Sequence, residues 1–119
     1  MPELPEVETL KRELKGAVVG KTIRAVRISW PKMTRPLSPA AFERQLRGRK
    51  IEGVSRRAKI LILKLSSDLN LLIHLKLTGQ LIYTPRRGPV IVGGHPEDPA
   101  KYTRAVFTFT DGSRLLFND

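Results

Sequence analysis

Apolar residues at Leu4, Val7, Leu10 and Leu14 recur at helical spacing and predict an amphipathic helix at the start of the chain. Pro5 falls in its first turn, where the missing N–H costs no hydrogen bond, and Gly16 predicts the stop. Strands follow at roughly Thr22–Trp30, Lys50–Arg57 and Ala58–Leu65. Between the first two, Ser38 as N-cap and Pro39 at the first position announce a second short helix. Phe42 and Leu46 lie one turn apart on its buried side, and Gly48 ends it.

Ser66–Asp68 reads as a turn, after which Leu69, Leu71, Ile73, Leu75 and Leu77 share one face of a strand at period two. Asn70, Leu72, His74 and Lys76 share the other face. Residues Pro85–Ala100 hold four prolines and three glycines, which predicts a loop. Tyr102–Thr110 and Ser113–Phe117 then flank Asp111-Gly112 as a hairpin. The sum is an α+β, mainly β fold: an antiparallel β-sandwich or flattened barrel flanked by an N-terminal helix and a second short helix.

Charge changes this picture more than length does. The 119 residues carry 22 Lys and Arg against 11 Asp and Glu. From Leu14 to Lys59 there are thirteen bases and two acids, a net +11 equal to that of the whole chain. Such a surplus predicts a polyanionic partner, most simply nucleic acid. The bases fall across strands and turns, which argues against a membrane-surface helix. No apolar run approaches the roughly 18 residues of a membrane span. Acidic residues at Glu3, Glu6 and Glu8 stand where a signal peptide needs basic ones, which predicts a cytoplasmic location and no membrane partner. The chain has no cysteine, which excludes disulfides, a thiol nucleophile and cysteine-ligated zinc within it.

The opening Met1-Pro2-Glu3-Leu4-Pro5-Glu6-Val7-Glu8 carries two readings. In one, Pro2 starts a helix and the glutamates complement its dipole. In the other, removal of Met1 leaves Pro2 with a free secondary amine, which is more often neutral near pH 7 than a lysine is. Attack on a sugar C1′ then forms an iminium that acidifies the C2′ proton and permits strand cleavage by elimination. Glu3 stands beside it as a carboxylate able to move protons.

That octapeptide closely resembles the N-terminal signature of the formamidopyrimidine-DNA glycosylases, base-excision repair enzymes for oxidised purines. The resemblance continues through Arg56-Arg57-Ala58-Lys59, His74-Leu75-Lys76-Leu77-Thr78-Gly79, Lys101-Tyr102-Thr103-Arg104, Asp111-Gly112-Ser113 and Phe117-Asn118-Asp119, in order and across essentially the whole chain. It implies a bifunctional DNA glycosylase and AP lyase, with Pro2 as Schiff-base nucleophile and Glu3 as proton donor and acceptor. Glu6 would support the catalytic terminus, and Lys59 would approach the lesion and its phosphate. His74 would contact phosphate, and Arg56, Arg57, Lys101 and Arg104 would serve DNA binding. Leu77 stands where the family usually has methionine to fill the gap left by a flipped base; core packing competes for it. Tyr102 stands where histidine is common, and no role is carried over to it.

The implied partner is damaged double-stranded DNA, met by a monomer. No cofactor is implied for this chain, since the family's helix-two-turn-helix segment and four-cysteine zinc finger belong to a second domain. The chain is therefore expected to be an N-terminal catalytic domain, residues 1–119, of a longer protein. If Met1 is retained, or the piece acts alone, the alternative is a non-catalytic nucleic-acid-binding domain. A small basic RNA-binding protein would explain the charge but not the opening octapeptide. One geometric expectation follows: Pro2, Lys59, His74 and Leu77 must meet on one basic face. The first helix should point its N-terminus there, Lys59 should neighbour His74, and Leu77 should be partly exposed near Pro2.

Overall fold

Helix α1 (Leu4–Val18) buries Val7, Leu10, Leu14 and Val18 along one face. It runs past the expected stop at Gly16 and ends before Gly20, whose φ of +92° suits a residue without Cβ. Burial of Val18 rewards the extra turn and outweighs the roughly 1 kcal/mol that a glycine costs within a helix. These observations come from a computed structural model, which describes residues 4–75, 79–94 and 102–119.

Eight strands follow: β1 (Ile23–Ile28), β2 (Ile51–Arg57), β3 (Ile60–Leu65), β4 (Leu69–His74), β5 (Gln80–Thr84), β6 (Ile91–Gly94), β7 (Thr103–Phe109) and β8 (Arg114–Asn118). All pair antiparallel, in a five-stranded sheet ordered β1-β7-β8-β5-β6 and a three-stranded sheet ordered β2-β3-β4. Inward residues of both sheets, among them Ile23, Phe107, Phe109, Leu115, Leu61, Leu63 and Ile73, form one core. The flattened-barrel alternative fails: among the described residues the sheets are bridged only at Thr22–Lys50, and no strand pairs the far side of β4. Helix α1 packs against β2 and β6, and α2 (Pro39–Leu46) packs against β1. Ser38 caps α2 by accepting the Ala41 N–H at 3.1 Å, as its sequence position predicts.

Three details differ from the sequence reading. Ala58 and Lys59 do not begin a strand; they form the two-residue turn between the Arg57 and Ile60 partners, with Ala58 at φ +52°. Strand β5 had no distinct sequence signal. The stretch expected to be loop contains β6, because the four prolines flank Ile91–Gly94 rather than interrupt it and β5 supplies its ladder. Glycines serve that strand through close approach. A Cβ on Gly93 would lie 2.3 Å from the Leu10 side chain, and one on Gly94 would lie 2.3 Å from the Gly79 carbonyl oxygen.

Register sorts the molecule into two poles. At one lie the first turn of α1, the Ala58–Lys59 turn, the end of β4, the start of β5 and the ends of β1 and β8. The other holds Gly20–Thr22, Ser66–Asp68 and the Asp111–Ser113 turn, joined by Gly20 N–H to the Ile51 carbonyl (2.8 Å) and Thr110 N–H to the Thr22 carbonyl (2.9 Å).

Ion pairs fasten both poles. Glu8 on α1 accepts the Arg56 Nε of β2 at 2.8 Å and is also paired with Lys11 and Arg12. Lys11 and Arg56, then Arg12, hold its carboxyl down at about 2 from an ordinary 4.5. At the far pole Lys21 pairs with Asp111; the lysine pushes that carboxyl below its usual range, helped by Ser113, while Lys21 itself is raised. A carboxyl depressed in the folded state stabilises the fold above its unfolded pKa and loses that effect as pH falls through the folded one. Glu8 therefore contributes fully above about 4.5 and loses its contribution on acidification toward about 2. The raised Lys21 acts oppositely, its contribution fading only as pH rises through its folded pKa.

Melting temperatures followed from neutral to acid pH should thus fall less steeply in Glu8→Gln than in the parent; identical acid limbs contradict the pairing. Glycine exchange gives a second check by chemical denaturation. Gly16→Ala, with open space at a helical position, should stabilise by about 0.5–1 kcal/mol. Gly94→Ala, at φ +97° and against a carbonyl oxygen, should destabilise by about 2–4 kcal/mol. Equal effects of the two changes would refute the packing described for β6.

Candidate functional site

The pole that carries the α1 N-terminus is where the chemistry-bearing residues gather. Antiparallel pairing of β3 with β4 sets Ile60 opposite His74, so the half-buried Lys59 and the exposed His74 are neighbours across one ladder. Arg57 pairs with Ile60 on the other side, which puts Arg57, Ile60 and His74 in one cross-strand row. Ala58 in the left-handed region forces the tight reversal that presents Lys59 at the tip, and a residue with Cβ is uncommon there.

Beside this tip, a cleft of about 440 Å³ opens between the first turns of α1, Leu75 after β4, and the Val92–Gly94 end of β6. Pro5, Glu6, Thr9 and Glu13 form its helix wall. Its opposite wall is drawn close by glycines: Gly79 N–H donates to the Leu75 carbonyl at 2.7 Å, and a Cβ on Gly79 would lie 2.2 Å from that oxygen. The first turn of α1, the positive end of the helix dipole, sits at this pole and favours anions there.

Of the residues singled out from sequence, Glu6, Arg57, Lys59 and His74 are brought to this pole. Arg104 reaches it from β7, where Ile28 pairs Ala105 and Ser29 N–H donates to the Arg104 carbonyl at 2.9 Å. Arg56 is engaged inward: Nε donates to Glu8, and a terminal amino group donates to the Ala58 carbonyl at 3.1 Å. It ties α1 to the Lys59 turn. Pro2, Glu3, Leu77 and Lys101 lie outside the described residues, and so does the expected exposure of Leu77. Glu8 was missed from sequence, since its partner Arg56 is 48 positions away and no local pattern joins them.

The basic stretch proves to be divided. Lys21 is spent on Asp111, Arg47 on Glu43, and Arg49 on the Gln45 and Ser66 carbonyls at 2.7 and 2.8 Å, away from this pole. Among the described residues no group of His, Asp and Glu could hold a metal ion, and no helix is long and apolar enough to cross a membrane.

Comparison with known proteins meets this geometry. The family "Formamidopyrimidine-DNA glycosylase N-terminal domain" matches residues 1–119. The formamidopyrimidine-DNA glycosylase of Enterococcus faecalis is 42% identical over 121 residues, covering all of this chain and 39% of that protein. That of Heliobacterium modesticaldum is 43% identical over 119 residues, covering all of this chain and 41% of the relative. Among solved structures, Lactococcus lactis Fpg in complex with an abasic site containing DNA superposes with a TM-score of 0.80 at 30% identity, over 99% of this chain and 40% of that one. The G226P mutant of the same protein, bound to a Fapy-dG containing DNA, also gives 0.80. The chain spans about two fifths of the length of these relatives. With the family matched from end to end and close relatives covering the whole of it, the chain belongs to the formamidopyrimidine-DNA glycosylase family and corresponds to its N-terminal domain.

Proposed function

We propose that this chain is the catalytic domain of a base-excision enzyme that removes oxidised purines from double-stranded DNA and then cleaves the abasic strand. The observation that carries the reading is the register that gathers the α1 N-terminus, Lys59 and His74 at one pole, beneath an opening octapeptide of the family type. Abasic-site and Fapy-dG DNA bound to the Lactococcus lactis relative support the substrate class. The remaining DNA grip, and the zinc, would belong to a second domain. The protein would act as a cytoplasmic monomer.

In this reading the lesion nucleotide leaves the duplex so that C1′ can be reached. The Pro2 nitrogen, freed by loss of Met1, attacks C1′; the C–N bond to the base breaks, and the base departs with a proton. Glu3 gives a proton to O4′ as the C1′–O4′ bond breaks, and the nitrogen lone pair forms the C1′=N iminium of the opened sugar. The resulting iminium withdraws electrons, a C2′ proton is removed, and the C3′–O bond breaks with departure of the 3′ phosphate. Lys59 and His74 hold the phosphates that flank the lesion, with Arg57 and Lys101 extending the contact. Glu6 lines the cleft beside the terminus, and Leu77 fills the space left by the extruded base. Arg56 serves the same end indirectly by holding α1, and Arg104 is taken up below.

Borohydride reduction in the presence of abasic-site duplex tests the nucleophile. Chain lacking Met1 should form a covalent adduct mapped to Pro2, and chain retaining Met1 should form none. An adduct indifferent to Met1, or none from the processed chain, overturns the assignment. Duplex binding tests these two residues: Lys59→Ala and His74→Gln should each weaken affinity, and Lys59→Ala should lower the slope of log affinity against log salt by about 0.9. Unaltered slope and affinity in both variants would remove them from the interface.

A further inference from the structure

Arg104 differs from the other cations of the pole in being held on three sides. Its guanidinium carbon lies 5.2 Å from the centroid of the Trp30 ring and 5.4 Å from that of Tyr102. Its Nε donates to the main-chain oxygen of Asp119 at 3.1 Å. The backbone fixes each neighbour. Ser29, next to Trp30, donates its hydroxyl to the Thr103 carbonyl at 2.7 Å, and Asp119 N–H donates to the Tyr102 carbonyl at 2.8 Å. A register shift between Thr103 and Ala105 marks the irregularity at Arg104, the kind of bulge that re-aims a side chain at a strand end.

Burial does not account for this arrangement. Tyr102 is 68% exposed and Trp30 40% exposed, so both rings keep much of their surface in water while flanking a cation. Arg104 commits its Nε to the main chain, on the edge of the guanidinium away from the two terminal amino groups. A guanidinium whose plane and Nε are already committed presents its two terminal amino groups as a fork that matches two oxygens of one anion.

We propose that Trp30, Arg104 and Tyr102 form a preorganised clamp for one phosphodiester of the DNA backbone. The two rings are positioning residues: they fix the guanidinium beforehand, so that less side-chain freedom is lost when phosphate arrives. Lys32 and His74 line the adjoining groove of about 420 Å³ between Trp30 and β4, with Asp119 on its rim, and extend the path of nitrogen donors toward the Lys59 turn. The inference rests on the DNA-binding reading above and adds the two aromatic rings to it.

Trp30 is the sole tryptophan of the chain, so its fluorescence reports on the clamp. The experiment titrates the 119-residue chain with abasic-site duplex at several salt concentrations. In the parent, binding should alter Trp30 emission. Arg104→Ala should weaken affinity roughly tenfold, lower the salt slope by about 0.9 and abolish most of the emission change. Arg104→Lys should keep the slope but not the affinity. Tyr102→Leu keeps every charge; it should weaken binding about two- to fivefold in the parent and have no further effect in Arg104→Ala. An equal loss from Tyr102→Leu in both backgrounds, or an unchanged slope in Arg104→Ala, overturns the clamp while parental binding stands. A parent without salt-dependent duplex binding overturns both the clamp and the reading beneath it.

Discussion

Helix α1 lies across the edges of both sheets, against β2 on one side and β6 on the other, and this packing decides which pole its first turn occupies. Val7, Leu10, Leu14 and Val18 supply the strength of that attachment, at about 1.5–3 kcal/mol for each fully buried side chain. Glu8 supplies direction, because its bond to Arg56 is made only when the helix lies in one rotation and one axial position on β2. Gly93 and Gly94 allow the other flank to close, one admitting Leu10 and the other passing the Gly79 carbonyl. The helix is thereby locked with its N-terminus beside the Lys59 turn.

The same packing separates the charges by role. A run of bases in the sequence suggests one continuous surface, yet the fold distributes them between structure and surface. Arg49 and Arg56 bind carbonyl or carboxylate groups that hold elements together, and Lys21 fastens the far pole. Lys59, His74, Arg57 and Arg104 gather at the near pole, where the helix dipole adds its own positive potential. The basic surface of the near pole is therefore smaller and more directional than the net charge implies.

Much of this was legible in the sequence wherever a short-range physical rule applied. The period-two alternation of Leu69–Ile73 gave the buried face of β4, Ser38-Pro39 gave the start of α2, and Asp111-Gly112 gave a hairpin. Antiparallel pairing around Ser66–Asp68 was enough to bring Lys59 to His74. Long-range effects were not legible. Gly16 looked like a helix stop because the burial of Val18 depends on distant strands, and β6 looked like loop because its glycines answer to Leu10 and Gly79. The Glu8–Arg56 bond and the stack of Trp30, Arg104 and Tyr102 join residues tens of positions apart in the chain. The role expected of Pro2 came from resemblance, since spacing alone favoured the start of a helix.

The central claim is that one pole of the two-sheet core is the DNA face, and amide chemical shifts recorded during titration with abasic-site duplex test it most directly. The account predicts shifts concentrated at residues 6–9, 57–60, 72–75 and 102–104, with 20–22, 66–68 and 111–113 unmoved. Shifts concentrated instead around the Lys21–Asp111 pole would contradict it.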